Sequence, residues 1–217
     1  MNLVPVVVAA LLAQAPAGDV VSAEERKAGF VPLFDGASLT GWQTIPLGDT
    51  PGTWVVRDGV LTHTPGDSWI ATAGTYTDFI LRLEYRTSKD TDSGVFLRST
   101  PRGYPSFTGM EIEIRNESAT PPTTQSNTAV YGAAAARVNA AKPDGAWNVV
   151  EISVIKRHLI AVWNGQTIHD LDLDDAAYAG ALRGSLRARA SSGHIGFQAH
   201  LSGTPVEFRS IRLKVVR

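Results

Sequence analysis

The chain has 217 residues, of which 43% are hydrophobic and 19% are charged, a composition that predicts a globular domain and excludes a disordered or fibrous chain. Its formal net charge of −1 at pH 7 offers no basic excess to a phosphate backbone or an anionic lipid surface, so we expect no nucleic-acid partner and no stable membrane insertion. The absence of cysteine excludes disulfides and thiolate nucleophiles, and it leaves only His, carboxylate or carbonyl ligands for any metal.

The N-terminal segment has the features of an export signal. Residues 3–13 form an apolar run that is too short to span a bilayer, and Ala13-Gln14-Ala15 and Ala15-Pro16-Ala17 both fit a small-x-small cleavage pattern. We therefore expect a signal peptide over residues 1–17 and a periplasmic or secreted protein. Residues 18–29 are expected to form a lead-in segment, with a short helix capped by Ser22, before a single domain over residues 30–217.

Most of the remaining chain has the pattern of β-strands. In residues 78–86 apolar and charged side chains alternate, which is the period-two pattern of a half-buried strand. Asn164-Gly165 predicts a two-residue hairpin turn, and only residues 174–183 favour a helix. The expected fold is all-β, a jelly-roll sandwich of two antiparallel sheets. Further strands are predicted over residues 53–57, 60–63, 94–98, 110–115, 147–156, 159–163, 195–200 and 206–216.

Two acidic residues are the first candidates for chemistry. Glu111 and Glu113 alternate with isoleucines in the predicted strand 110–115, so both carboxylates should lie on the face opposite the core, about 6 to 7 Å apart. Like charges at that distance raise one pKa unless a cation or a metal lies between them. The alternative is a solvated strand face on which Arg98 or Arg115 balances the acids. Loops 99–109 and 116–127 flank this strand and are long enough to carry function.

A second candidate group is formed by His194, Gln198 and His200, which share one face of a later strand. An imidazole beside carboxylates can act as a base or as a metal ligand, and His200 is the better candidate because His194 follows a glycine in a turn-like setting. We expect a structural role for the other three histidines. Two further residues have two interpretations each: Arg98 clamps a substrate oxygen or balances the acids, and Tyr131 donates a proton or caps the core.

The order of several motifs resembles that of a known family. Residues 30–42 (FVPLFDGASLTGW) are similar to the LFDG..L.GW opening of the 3-keto-disaccharide hydrolase domain family. The resemblance continues over nearly all of the chain after residue 29. It includes residues 54–61 (WVVRDGVL), 78–98, 110–114 (MEIEI), Tyr131, Trp147 with Asn148, 162–165 (VWNG) and 193–214.

The resemblance implies a concanavalin-A-like, laminin-G-like jelly roll that acts on sugars whose C3 hydroxyl has been oxidised to a ketone. The ketone acidifies the C2 proton, so a base can form an enolate and the C1 substituent can leave by elimination before water adds. That route needs a base, a group that stabilises the enolate oxygen, and an acid for the leaving group. It implies a carbohydrate as the partner and no nucleotide cofactor.

The resemblance also suggests roles for individual residues. His200 or Glu111 would be the base and Tyr131 the acid, while Arg98, Gln198 and Glu113 would contact the substrate. The enolate would be stabilised by Arg98 or by a divalent metal held by Glu111, Glu113 and His200. Oxygen ligands suit Ca, Mn or Mg, and an imidazole ligand extends the choice to Zn or Co.

The chain also departs from the family pattern. It has Gln198-Ala199-His200-Leu201 in place of Gln-Asp-His-Gly, Met110-Glu111-Ile112-Glu113 in place of Tyr-Glu-x-Gln, and Asn116 in place of an Asp. Three other functions therefore stay open. Glu111, Glu113 and Glu117 loosely resemble the paired acids of laminarinase-type glycosidases. A carbohydrate-binding lectin without catalysis is the second, and a structural or adhesion domain is the third.

Overall fold

The computed structural model describes residues 20–116, 121–201 and 203–217. The predicted signal peptide and Glu117 lie outside these residues. The described part of the chain contains thirteen strands and short helical turns, and none of its helices has the length and apolar character needed to cross a membrane. The strands are β1 (Val31–Pro32), β2 (Trp42–Pro46), β3 (Trp54–Arg57), β4 (Val60–His63), β5 (Ser68–Thr72), β6 (Phe79–Arg86), β7 (Asp92–Ser99), β8 (Met110–Arg115), β9 (Asn148–Ile155), β10 (His158–Trp163), β11 (Gln166–Asp172), β12 (His194–Ala199) and β13 (Glu207–Val215).

The described strands form two antiparallel sheets, which confirms the predicted fold class. The larger sheet has the order β11-β10-β9-β6-β13-β4-β3, and β1 also pairs with β13, at Arg212 and Leu213. The smaller sheet has the order β2-β5-β12-β7-β8. Asn164 and Gly165 both have positive φ and connect β10 to β11, as the hairpin prediction requires.

The core lies between the two sheets and follows the alternation seen in the sequence. Phe79, Leu81, Leu83 and Tyr85 of β6 are buried, while the residues between them are partly exposed. The Trp163 indole N–H donates to the Tyr85 hydroxyl over 2.9 Å, so the polar atoms of this aromatic pair are satisfied within the core. Inward residues of the smaller sheet, such as Ile112 and Phe197, pack into the same cluster.

Helices are short and lie outside the sheets. Helix α1 (Ala23–Lys27) begins at Ser22 with a capping box, as predicted, and α2 (Pro105–Thr108) follows β7. Glu25 anchors α1 to the larger sheet through ion pairs with Arg82 and Arg212. The predicted helix over residues 174–183 is wrong in extent: the structure contains only a 3₁₀ turn, Ala176–Tyr178, capped by Asp175.

Candidate active site

A cleft opens on the outer face of the smaller sheet. Glu111 and Glu113 of β8 project to this face because the residues between them, Ile112 and Ile114, enter the core. In the neighbouring strand β7, Gly94 pairs with Glu113. Gly94 has no side chain, so the Glu111 carboxyl can pack directly over its backbone. A Cβ at this position would lie 2.0 Å from Oε1 of Glu111, which therefore occupies the space over the glycine.

Side chains from five parts of the chain enclose the cleft, whose volume is about 130 Å³. The register of β12 against β7 pairs Phe197 with Val95, so the next residue, Gln198, lies alongside Gly94. Four residues proposed from the sequence, Glu111, Glu113, Gln198 and His200, thus meet at one place, although β8 and β12 are far apart in sequence. The lining residues are Asp92, Tyr104, Ser106, Glu111, Glu113, Arg115, Tyr131, Gln198 and His200.

Glu111 is almost completely buried, with 3% of its surface exposed. Burial raises its pKa to about 8, and the charge of Asp92 adds to the shift, while a hydrogen bond with Ser106 opposes it. Oε1 has no hydrogen-bond partner within the described residues. At neutral pH Glu111 therefore carries a proton, and the site contains a neutral carboxylic acid able to donate it.

Residues 127–131 extend the edge of the smaller sheet and position Tyr131. Backbone hydrogen bonds join the Tyr131 N–H to the Glu111 carbonyl, the Glu113 N–H to the Ala129 carbonyl and the Thr128 N–H to the Glu113 carbonyl. Burial raises the pKa of the Tyr131 phenol, and the charges of Glu113 and Glu111 raise it further. The phenol is thus held as a proton or hydrogen-bond donor facing the cleft, rather than as a cap on the core.

Glu113 is buried, although the sequence also allowed a solvated position for it on the outer face of the strand. Only 4% of its surface is exposed, because β7 lies on one side and residues 127–131 on the other. His200 follows the last residue of β12 and is half-buried at the edge of the cleft. Glu113 and His200 therefore line the same cleft as Glu111.

The structure contradicts the predicted substrate contact of Arg98. A bulge between β7 and β12, where Arg98 has a positive φ of 54°, turns this side chain from the outer face into the space between the sheets. Arg98 is fully buried. Its guanidinium bonds to Asp78 over 3.1 Å and donates to the carbonyls of Thr77 and Lys156. Arg98 therefore has a structural role, in an ion pair with Asp78, and does not line the cleft.

A comparison with known protein families identifies the family of this chain. The model of the 3-keto-alpha-glucoside-1,2-lyase-like domain matches residues 29–214. The chain belongs to this family. A relative named 3-keto-disaccharide hydrolase, from Bacteroides thetaiotaomicron, is 22% identical over 230 aligned positions, which cover 87% of this chain and 79% of the relative.

Solved structures show the same fold as this 3-keto-alpha-glucoside-1,2-lyase-like domain. A candidate glycosyl hydrolase from Parabacteroides distasonis superposes with a TM-score of 0.77 at 22% identity, covering 91% of this chain and 98% of that chain. A protein of unknown function with a galectin-like fold, from Bacillus subtilis, gives a TM-score of 0.56 at 16% identity, with 87% and 96% covered. The jelly-roll architecture is therefore shared beyond the family.

The metal-ligand set suggested by the family resemblance is not assembled in this structure. Across the described ranges, no three His, Asp or Glu side chains are arranged to hold a metal ion together.

Of the two counterions that the sequence offered for the acids, Arg115 is the one in the cleft: it lies on the same face as Glu111 and Glu113 and pairs with Asp92 over 3.4 Å. Sequence reasoning missed another part of the cleft. Tyr104 and Ser106 come from the loop before β8, and no local pattern could have indicated that this loop folds over the strand.

The remaining histidines have structural partners, as expected from the sequence. His169 is buried and its Nε2 bonds to the Thr128 carbonyl over 2.7 Å, and burial lowers its pKa. The Nδ1 of His63 bonds to the Thr64 carbonyl. His194 lies in β12 rather than in a turn, and its Nδ1 bonds to the Thr72 carbonyl over 2.7 Å.

Proposed function

We propose that this protein cleaves 3-keto-glycosides by elimination at C1 and C2 followed by addition of water. The observation that carries the proposal is the cleft in which the almost completely buried carboxyl of Glu111, whose pKa is raised by burial, lies with His200 and Tyr131. A substrate with an acidic C2 proton and a basic leaving oxygen needs such a pair of an acid and a base. Membership of the 3-keto-alpha-glucoside-1,2-lyase-like family and the name of the Bacteroides relative support the substrate class.

The reaction balances with water as the one co-reactant. The base removes the C2 proton, and the electrons of the C–H bond move to the C3 carbonyl and give an enolate. When the carbonyl re-forms, a C1–C2 double bond forms, the C1–O bond breaks, and the leaving oxygen takes a proton. Water then adds its oxygen to C1 and a proton to C2, which gives a free 3-keto sugar and a free alcohol. No oxidation or reduction occurs in these steps.

The residues of the cleft supply the three functions that this route needs. His200 takes the C2 proton through an imidazole nitrogen, and Glu111 donates its proton to the leaving oxygen. The Tyr131 hydroxyl and the Arg115 guanidinium stabilise the enolate oxygen, because a donor or a positive charge in a site shielded from water favours developing negative charge. Glu113 and Gln198 form hydrogen bonds with the sugar hydroxyls and fix the ring in the cleft.

A pair of matched substrates tests the proposal. Methyl glucoside and its 3-keto derivative would be incubated with the purified protein, and free 3-keto-glucose and methanol would be measured. We expect turnover of the ketone and none of the parent glucoside, because without the ketone the C2 proton is not acidic. The Glu111→Gln variant should lower kcat on the ketone by about 10² or more, as expected for loss of a positioned acid.

Other outcomes would favour the functions left open by the sequence. Equal rates on both glucosides would indicate a conventional glycosidase of the laminarinase type. Saturable binding of either sugar without turnover would indicate a lectin. Neither result is compatible with C2 deprotonation as the route of cleavage.

A further inference from the structure

Arg189 is a buried arginine that the proposed reaction does not use. It follows a 3₁₀ turn, Leu186–Ala188, and only 6% of its surface is exposed. Among the residues that the structure describes, no carboxylate pairs with its guanidinium, and its Nε atom has no hydrogen-bond partner. Burying a cation without a counterion is costly, so the bonds that this guanidinium does make indicate the role of the residue.

The terminal N–H groups of Arg189 join two separate parts of the chain. One terminal nitrogen donates to the carbonyls of Ser106 over 2.6 Å and of Gly109 over 3.2 Å, in α2 and directly after it. The other donates to the carbonyls of Leu182 over 2.8 Å and of Gly184 over 3.2 Å. Because a guanidinium is planar and its donors point in fixed directions, this one side chain holds both segments at a set distance.

Both segments joined in this way contact residues of the cleft. Ser106 lines the cleft, and its hydroxyl forms a hydrogen bond with the Glu111 carboxyl. The Leu182 N–H donates over 2.7 Å to the carbonyl of Gly132, the residue after Tyr131. Gly132 has a positive φ of 68°, and a Cβ at this position would lie 2.5 Å from the Leu182 Cβ, so the two backbones approach closely. One segment therefore contacts Glu111 and the other adjoins Tyr131.

An aromatic contact connects the guanidinium to Tyr131 by a second route. The guanidinium carbon of Arg189 lies 5.3 Å from the centre of the Phe107 ring. The Phe107 ring centre lies 6.0 Å from that of Tyr131. Phe107 is the residue after Ser106 in α2, so a displacement of this helix would disturb the contacts of Glu111 and of Tyr131 together.

We propose that Arg189 is a positioning residue that holds Glu111 and Tyr131 in place by joining α2 to residues 182–184. The assignment rests on the function proposed above, in which Glu111 and Tyr131 both act on the substrate. Arg189 does not line the cleft, so it acts through these residues and not by contact with the sugar. Its loss should therefore lower kcat, which depends on the placement of the reacting groups, more than it changes KM.

Two variants and two measurements test this role. Arg189→Lys keeps the charge, but an ammonium donates from a single point and cannot reach both segments. Arg187→Lys is the matched control, because the Arg187 side chain is 78% exposed and does not line the cleft. Hydrogen exchange measures the joining of the segments without any substrate, at the amides of Phe107, Thr108 and Leu182, which all donate to carbonyls in the folded protein. Steady-state kinetics on methyl 3-keto-glucoside measure kcat and KM.

We expect the three amides to exchange at least about tenfold faster in Arg189→Lys, because the two segments open more readily. We expect kcat to fall by about tenfold or more while KM changes by less than about threefold. Arg187→Lys should match wild type in every measurement. In Arg189→Ala, guanidinium ion below denaturing concentrations should restore part of kcat, which a general loss of folded protein would not allow.

The results that would overturn the proposal are distinct from a failure of the proposed function. Unchanged exchange in Arg189→Lys would show that this side chain does not hold the segments together, whatever the reaction. Faster exchange with wild-type kcat would refute the positioning role and leave the reaction intact. If neither Arg189 variant unfolds cooperatively, the residue is required for the fold and the positioning role is wrong. If wild type turns over no ketone, the proposed function fails first and the positioning role with it.

Discussion

The buried acid of Glu111 makes the stability of this protein depend on pH in a direction opposite to that of most carboxylates. The folded protein keeps this proton up to about pH 8, whereas the unfolded chain loses it near 4.5. Between these values the folded state binds more protons than the unfolded state. The free energy of unfolding contributed by this group is therefore greatest below about pH 4.5, falls as the pH rises to 8, and is constant above that.

The magnitude of this effect follows from the same values. One pKa unit corresponds to about 1.4 kcal/mol, so ionised Glu111 lowers the free energy of unfolding by about 5 kcal/mol in alkaline solution. Glu111→Gln replaces the acid by a neutral group of the same shape. We expect the variant to have nearly the wild-type stability at about pH 5 and to exceed it by several kcal/mol at about pH 9.

Urea unfolding curves at a series of pH values measure this difference. His63 and His169 also titrate with lowered pKa values, but both proteins contain them, so their contribution cancels in the difference between the two curves. The Gln198→Ala variant is the control, because it alters the same cleft without removing a titratable group. A Glu111→Gln difference that does not change with pH, or that grows toward acid, would refute the reasoning.

Three further predictions concern other residues. His200→Ala should lower kcat on a 3-keto-glucoside by about 10² to 10⁴, as expected for loss of a base. Glu113→Gln should lower kcat by less than about tenfold, as expected for a hydrogen-bonding residue. Steady-state kinetics on both variants measure the difference. Gly94→Ala should fold normally but lose at least about tenfold in kcat, because the new Cβ displaces the Glu111 carboxylate; an unaltered rate would contradict the described position of Oε1. Arg98→Met should lower the free energy of unfolding by about 1 to 3 kcal/mol for each carbonyl that loses its buried donor, those of Thr77 and Lys156, and urea curves would record the loss. KM should be normal for the folded fraction, as kinetics would show.

The sequence predicted those parts of the fold that depend on local alternation. β6, β8 and β9 lie within a residue or so of their predicted bounds because each alternates between a buried and an outer face. β5 was missed because all five of its residues are buried, so it carries no alternation. Its outer face is covered at Trp69, which packs against Phe96 and Ile45, a contact that only the tertiary structure reveals.

The candidate site was predictable where strands are regular and unpredictable where they are not. Glu111, Glu113 and Gln198 face the cleft because the alternation of β8 and β12 continues without interruption through them. Arg98 was placed wrongly because one residue with positive φ reverses the alternation, and Arg is not a residue type that signals such a bulge. The loop that carries Ser106 helps to enclose Glu111, and this burial raises the pKa of the carboxyl. The alternation of β8 contains no information about the position of that loop.

Abstraction of the C2 proton is the central claim, and isotope incorporation measures it most directly. The purified protein would be incubated with a methyl 3-keto-glucoside in D₂O, and the product and the recovered substrate would be analysed by NMR for deuterium at C2. We expect deuterium at C2 of the released 3-keto-glucose, at a rate that falls in parallel with turnover in His200→Ala. Product formed with full retention of the original C2 hydrogen would contradict the account.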